Sequence, residues 1–327
     1  MRSGKGYKME SYAIEPLPPN SVVDKRLEDV EAVGQTIQKA YRRSGSKNKH
    51  AAVAVSGSTV ITKVITMPAN LTEDELEEQI ALEADQYIPY PLEEVNLDFS
   101  VMGPTEGSPD LSNVLLAASQ SQNVDDRTDA LAIAGLETKV VDVEAYCVEH
   151  TFDLMRHQIA DEGIDKVVAI VDIGATTTTV TVIYDGNIIY TRDQAFGGKQ
   201  LTEEIMRRYG LTYEEAGQKK RQGGLPGNYE NEVLQPYKDN LVQQVGRSLQ
   251  FFYSSSSYNN VDHVLLAGGT AALPGIDTYV EKGMGVPVSV ADPIKGMKSS
   301  SRVNMERVAT DAPALMISLG LALRSFD

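Results

Sequence analysis

Two runs constrain the fold of this 327-residue chain more than any other part of it: VVAIVDIG, residues 167–174, and VLLAGG, residues 264–269. Both read as buried strands that end on glycine turns. Residues 176–184 read as the hairpin partner of the first, 185–187 (Asp-Gly-Asn) as the next tight turn, and 188–194 as a third strand. Further strand patterns lie at 50–57, 60–68, 95–103, 112–120 and 286–293. Helical patterns lie at 27–43, 71–86, 123–135, 201–209, 213–222, 232–253, 274–283 and 312–324. The stretch 1–19 carries one strand-like run ended by prolines, 137–163 reads as a strand feeding a long helix, and 104–110, 223–228 and 254–260 read as loops. The clearest helix is 71–86. Thr72 and Glu75 form a T-x-x-E capping box, acids crowd its first turns, and Pro89 stops it. Leu76 and Ile80 mark its inner face, with Leu82 or Glu83 at the boundary, and its acidic outer face reads as solvated. Strands and helices alternate, so the class is α/β with sheets flanked by helices. The length allows about two domains, or one large domain in lobes.

Charge and composition narrow the function. The net charge of −16 argues against a nucleic-acid partner, which needs a basic face, and disfavours adhesion to anionic lipid. One cysteine, Cys147, leaves no disulfide framework or cysteine-rich zinc site, and it reads as a small core residue. The four histidines form no H-x-x-x-H pair. No secretory signal and no apolar run of membrane-spanning length is visible, so the chain reads as cytoplasmic.

Three glycine turns carry the chemistry. Asp172 ends a strand just before Gly174, and the amides of Ala175, Thr176 and Thr177 can point into the turn to hold an anion. Asp172 itself would repel phosphate; its use is to hold a water of a phosphate-bound Mg²⁺, which keeps much of its hydration. In FGGKQLTEEI (196–205), Gly197 and Gly198 open a helix whose amino end offers amides to an anion. In VLLAGGTAALPGI (264–276), Gly268, Gly269 and Thr270 form a strand-to-helix turn, where bare backbone allows a flat ring to lie close, with Pro274 as a first-turn residue of the helix.

Strand–DIGATTT–hairpin, then FGG, then LAGGT, in this order, resembles the actin-like ATPase superfamily. Within it the chain is similar to the FtsA-like PilM family of type IV pilus assembly proteins, on ADQYIPYPLEEV, KVVDVEAY, VDIGATTTT, FGGKQLTEEIMRRYGL, QGGLPG, VLLAGGTA and DAPALMISLGLALRSFD, from Glu10 to the last residue. The resemblance implies an actin-like two-lobed fold. Subdomain 1A would take 1–59, the strand and linking helix of 139–165, and the closing helix 311–327. An FtsA-type 1C subdomain would take 60–138, subdomain 2A 166–224 with its return over 261–310, and subdomain 2B 225–260. It implies ATP and Mg at the three turns, with Lys219 or Lys220 in the lysine role of an A-E-x-x-K pattern that reads AGQKK in this chain. Gly217 stands where the family glutamate reaches the ribose. The family's first phosphate hairpin precedes the segment matching RSGKGYKMESYAIEP, so the first strand and its hairpin are expected to be lacking.

The resemblance also implies a partner, the N-terminal cytoplasmic peptide of PilN, docked between 1A and 1C, and through it the PilN/PilO inner-membrane complex. The YIPYP turn, with Ile88 and Tyr90, would border that groove. Self-association into rings or filaments and slow ATPase activity at most are further expectations. The alternatives are an FtsA-like filament-forming scaffold and a small-molecule kinase of the same superfamily. A kinase needs a carboxylate base, for which Asp142 and Glu144 are the candidates. An FtsA-like anchor needs a basic amphipathic tail, and the chain ends at Asp327 directly after its last helix, so membrane contact is expected only through a partner.

Overall fold

The computed structural model describes residues 2–3 and 6–324. The chain divides into two compact units: Ala13–Glu144, and the described residues up to Tyr12 together with those from Ala145 on. The boundary falls within the segment 139–165. The amino-terminal strand β1 (Gly6–Met9) belongs to the second unit, where it pairs in parallel with Lys298–Ser299. The strand-like run therefore ends at Met9, and the proline-rich residues beyond it form no strand.

The unit Ala13–Glu144 holds three sheets, one of them a small two-stranded hairpin. Helix α1 (Val30–Ser44) starts at the Asp29 N-cap, three residues later than the sequence pattern, because Arg26–Leu27 pair with Val22–Val23 in a small hairpin. Asp24 and Lys25 at its tip both adopt left-handed conformations, φ 47° and 65°. Strands β2 (His50–Val55) and β3 (Val60–Pro68) follow, then α2 (Glu73–Glu83), which continues as a 3-10 turn over Ala84–Gln86. Its Thr72–Glu75 capping box is formed in both directions. Leu76 and Ile80 are buried, whereas Leu82 is 83% exposed, so the inner face stops short of it.

Strands β4 (Val95–Thr105) and β5 (Ser108–Gln120) are longer than expected. The stretch 104–110 is not a loose loop: Thr105 pairs with Ser108, and only Glu106-Gly107 turn, with Gly107 at φ 74°. The sheet order β3-β5-β4 is antiparallel, and α2 closes one face through Ile65, Met67, Leu76, Ile80, Val114 and Leu116. Helix α3 (Ser121–Ile133) leads to β6 (Glu137–Val143), which pairs in parallel with β2. Where α1 crosses α3, Gly34 makes room: a methyl group there would lie 2.7 Å from Ile133 Cβ.

Helix α4 (Glu144–Phe152) is short. It breaks into 3-10 turns over Asp153–Gln158 and Ala160–Gly163, with Asp161 and Glu162 left-handed, so no long helix runs to 163. The second unit is built on five strands: β7 (Val167–Ile173), β8 (Thr178–Tyr184), β9 (Asn187–Gln194), β10 (His263–Ala267) and β11 (Val288–Val290). Their order is β9-β8-β7-β10-β11. The β7-β8-β9 ladders are antiparallel and the β7-β10-β11 ladders parallel, which puts β7 at the centre.

Side chains alternate across β7. Val167, Ala169, Val171 and Ile173 pack into one core with α5 (Gly198–Tyr209), α7 (Gln235–Ser255) and α8 (Ile276–Met284), while Val168 and Ile170 pack into a second with Val148, Phe152, Met155 and Met316. Burial on both faces explains the unbroken apolar run. Helix α6 (Tyr213–Gln222) has its own capping box, Thr212–Glu215. A π-turn over Glu230–Leu234 precedes α7, which runs to Ser255 and takes in the first two serines of the expected connector.

Pro274 is outside any helix. Gly269–Ala272 forms a 3-10 turn, and α8 begins at Ile276 behind the left-handed Gly275. The 286–293 pattern yields only three strand residues, and α9 (Met305–Asp311) was not foreseen. The closing segment is a 3-10 turn, Ala312–Leu315, followed by α10 (Met316–Leu323).

Candidate functional site

The ends of β7 and β10 and the start of α5 bring the three turns together, and glycine is what lets them interlock. Gly198 N donates to Gly174 O at 2.9 Å and Lys199 N to Ala175 O at 2.8 Å. A methyl group on Gly197 would collide with the Ala175 carbonyl, and one on Gly268 with the Ile173 carbonyl, while also lying 2.5 Å from Asp172 Oδ1. Gly268 is at φ 84°, where only glycine is unstrained. It therefore faces the first turn and not a ligand ring. Gly269 has open space where its side chain would be and is the residue of the pair that leaves backbone bare.

This interlocking reverses one expectation. The first amides of α5 are already used: Gly198 and Lys199 serve the first turn, and Gln200 N reaches Gly197 O at 3.3 Å. The helix end offers no free amide at these positions. The first turn does. Gly174 N closes the hairpin on Thr177 O at 2.9 Å, and among the described residues no backbone acceptor takes the amides of Ala175, Thr176 and Thr177. Ala175 and Thr176 are exposed.

The threonine run divides between two jobs. Thr178 Oγ1 donates to Phe196 O at 2.7 Å, tying β8 to the second turn, Thr179 Oγ1 donates to Asp193 Oδ1 at 2.6 Å across the ladder, and Thr181 is buried. Only Thr176 and Thr177 remain in the turn. Asp172 is half-buried at the end of β7, paired with Thr179 on one side and Ala267 on the other.

Lys220 and not Lys219 reaches the turns. Its Nζ donates to Gly198 O at 2.9 Å and to Thr202 Oγ1 at 2.8 Å, and a methyl group on Gly198 would lie 2.5 Å from Thr270 Oγ1 and 3.4 Å from this ammonium. Burial, with Arg221 nearby adding repulsion, pushes Lys220 down to about 8. A half-buried cation whose hydrogen bonds run to neutral acceptors is suited to an incoming anion. Thr202 was missed in the sequence, although it sits one helical turn after Gly198. The stacking of Phe196 on Tyr237, with ring centroids 5.1 Å apart, joins residues 41 positions apart and left no local signal.

The remaining candidates lie in the unit Ala13–Glu144. Asp142 is buried at the end of β6 and accepts from the Val143 amide at 2.7 Å. Glu144 is ion-paired with Lys25 at 2.8 Å. The left-handed Lys25 is held in place by Arg127, whose three guanidinium nitrogens donate to the carbonyls of Ala54, Asn123 and Lys25 at 2.8–2.9 Å. A carboxylate neutralised by a fixed lysine is a poor general base. Ile88 is only 5% exposed, packed with Ala84 and Ala118, so it supports the YIPYP turn from below, whereas Tyr90 is 41% exposed.

The two units, and the mixed sheet whose central strand carries an Asp-x-Gly turn, define an actin-like fold. Solved structures agree. The chain superposes on one described as a PilM-PilN type IV pilus biogenesis complex with a TM-score of 0.77 at 27% identity, covering 96% of this chain and 90% of that one. It superposes on the ethanolamine utilization protein EutJ from Carboxydothermus hydrogenoformans with a TM-score of 0.54 at 20% identity, covering 93% and 78%. The family model described as type IV pilus assembly protein PilM matches residues 1–326, and the chain belongs to that family.

Proposed function

We propose that the chain is a nucleotide-binding assembly factor of the type IV pilus inner-membrane platform. It binds Mg–ATP at the three interlocked turns and docks the N-terminal cytoplasmic peptide of PilN. The observation that carries the nucleotide reading is the Asp172–Thr177 turn, exposed at Ala175 and Thr176, which keeps three amides for an anion while the two other glycine turns pack against it and Lys220 braces the second of them. Its amides take phosphate oxygens, Lys220 supplies the cation, and the bare Gly269 leaves room for the base. A single carboxylate, Asp172, suits an ion that arrives on the phosphates and keeps its water. Among the described residues no group of three or more His, Cys, Asp or Glu side chains could hold a metal by itself.

The partner reading draws on the resemblance to a PilM-PilN complex. No helix among the described residues is long and apolar enough to cross a membrane, and a docked PilN peptide would hold the chain at the cytoplasmic side of the inner membrane. Tyr90 is the exposed contact that this reading assigns to the peptide. Calorimetric titration with Mg–ATP tests the nucleotide site. The wild-type chain binds, and Asp172→Ala weakens binding about tenfold, or ~1.4 kcal/mol. Equal heats and affinities for the two would contradict it. Titration with the PilN peptide tests the partner: Tyr90→Ser weakens binding, and Glu78→Lys, on the exposed face of α2, changes it by less than about 0.5 kcal/mol.

A further inference from the structure

Tyr237 presents a buried hydroxyl that makes no well-formed hydrogen bond and interacts only weakly with Thr270. The residue lies on α7 and is 7% exposed. Native proteins seldom leave such a group orphaned, because burying it without a partner is costly. Its surroundings give it a purpose. The ring stacks on Phe196 at 5.1 Å and 20°, directly before Gly197-Gly198, and the hydroxyl faces the side chain of Thr270 in the third turn. It is thus bracketed by two of the three turns. A second phenol, the half-buried Tyr229, also has a buried hydroxyl without a partner among the described residues and is near enough to act on its ionisation.

We infer that Tyr237 reads the nucleoside part of the bound nucleotide, its hydroxyl hydrogen-bonding a sugar or base group that enters beside Thr270. This rests on the nucleotide reading above and deepens it. The phosphate cradle of this reading is formed by the Ala175–Thr177 amides, which no backbone acceptor takes among the described residues, whereas Tyr237 is buried between the second and third turns. The two sets of groups would recognise different ends of one ligand. The ligand class is then a nucleotide held at both ends, and inorganic polyphosphate would fill only one of them.

The test compares the wild-type chain with Tyr237→Phe, titrating ATP and inorganic triphosphate, each with Mg²⁺, and recording the melting temperature of the free protein. Removing an unsatisfied hydroxyl leaves the free protein as stable or more so. The expected outcome is an unchanged or raised melting temperature, ATP affinity lowered roughly three- to tenfold, and triphosphate affinity unchanged. A lowered melting temperature, or failure to fold, means the hydroxyl has a structural partner and overturns the inference. So does unchanged ATP affinity, or an equal loss for ATP and triphosphate; in both cases the nucleotide site itself stands. Absence of ATP binding by the wild-type chain overturns the nucleotide reading and takes this inference with it.

Discussion

Lys220 is charged at neutral pH although its hydrogen bonds run to the neutral oxygens of Gly198 and Thr202, and this has a pH signature. Its folded-state pKa of about 8 lies below the ordinary 10.5, so the folded protein holds this proton less tightly than the unfolded chain. The resulting cost is fully present below pH 8 and fades as pH rises from about 8 to 10.5. Urea unfolding of wild type and Lys220→Met at pH 7 and pH 10 should show the variant's relative stability falling at the higher pH; a pH-independent difference would contradict the assignment. Gly268→Ala should cost about 2–3 kcal/mol, because it strains a left-handed backbone and drives the third turn out of the first, readable as a lower melting temperature. At this scale the sequence was informative about which residues matter and less so about how. The glycines and Lys220 were visible in FGG, LAGGT and AGQKK. Their mutual packing was not, because the contacts Gly197–Ala175 and Gly268–Ile173 are long-range. The α5 amides looked available for the same reason.

Among the elements, those with local stop and start signals were legible. The Thr72–Glu75 box set the start of α2, and Thr72→Ala should cost about 1 kcal/mol in chemical denaturation, with Thr72→Ser restoring most of it. Elements ended by tertiary packing were misread. The pattern over 137–163 looks continuously helical past Glu144, yet α4 stops at Phe152, where Phe152 and Met155 turn into the core under β7. The 104–110 stretch looked like a loop because Pro104, Gly107 and Pro109 disfavour strands, but the β4–β5 ladder absorbs them with register shifts near its end. Helix α10 crosses α4 at Gly320, where a methyl group would overlap the Cys147 carbonyl. Gly320→Ala should therefore destabilise by about 3 kcal/mol or fail to accumulate folded, a stronger effect than loss of the cap. Solubility with an intact melting transition near that of wild type would contradict this packing.

Across the whole molecule, the fold class was legible because unbroken apolar strands alternate with helical patterns and the three glycine turns recur in a characteristic order. The division at Glu144–Ala145 falls one residue inside α4, directly after β6, where no linker or change of composition marks it and only the contacts separate the two units. The central claim is that one turn, 172–177, is kept rigid and open for phosphate by the other two. Amide hydrogen exchange tests it directly. Without ligand, the Gly174, Gly198 and Lys199 amides, all hydrogen-bonded, should exchange slowly, and those of Ala175, Thr176 and Thr177 fast. With saturating Mg–ATP, the Ala175–Thr177 amides should slow by at least about tenfold while Gly198 and Lys199 change little. Fast exchange at Ala175–Thr177 in the presence of bound ATP, or protection appearing at the start of α5 instead, would contradict the account.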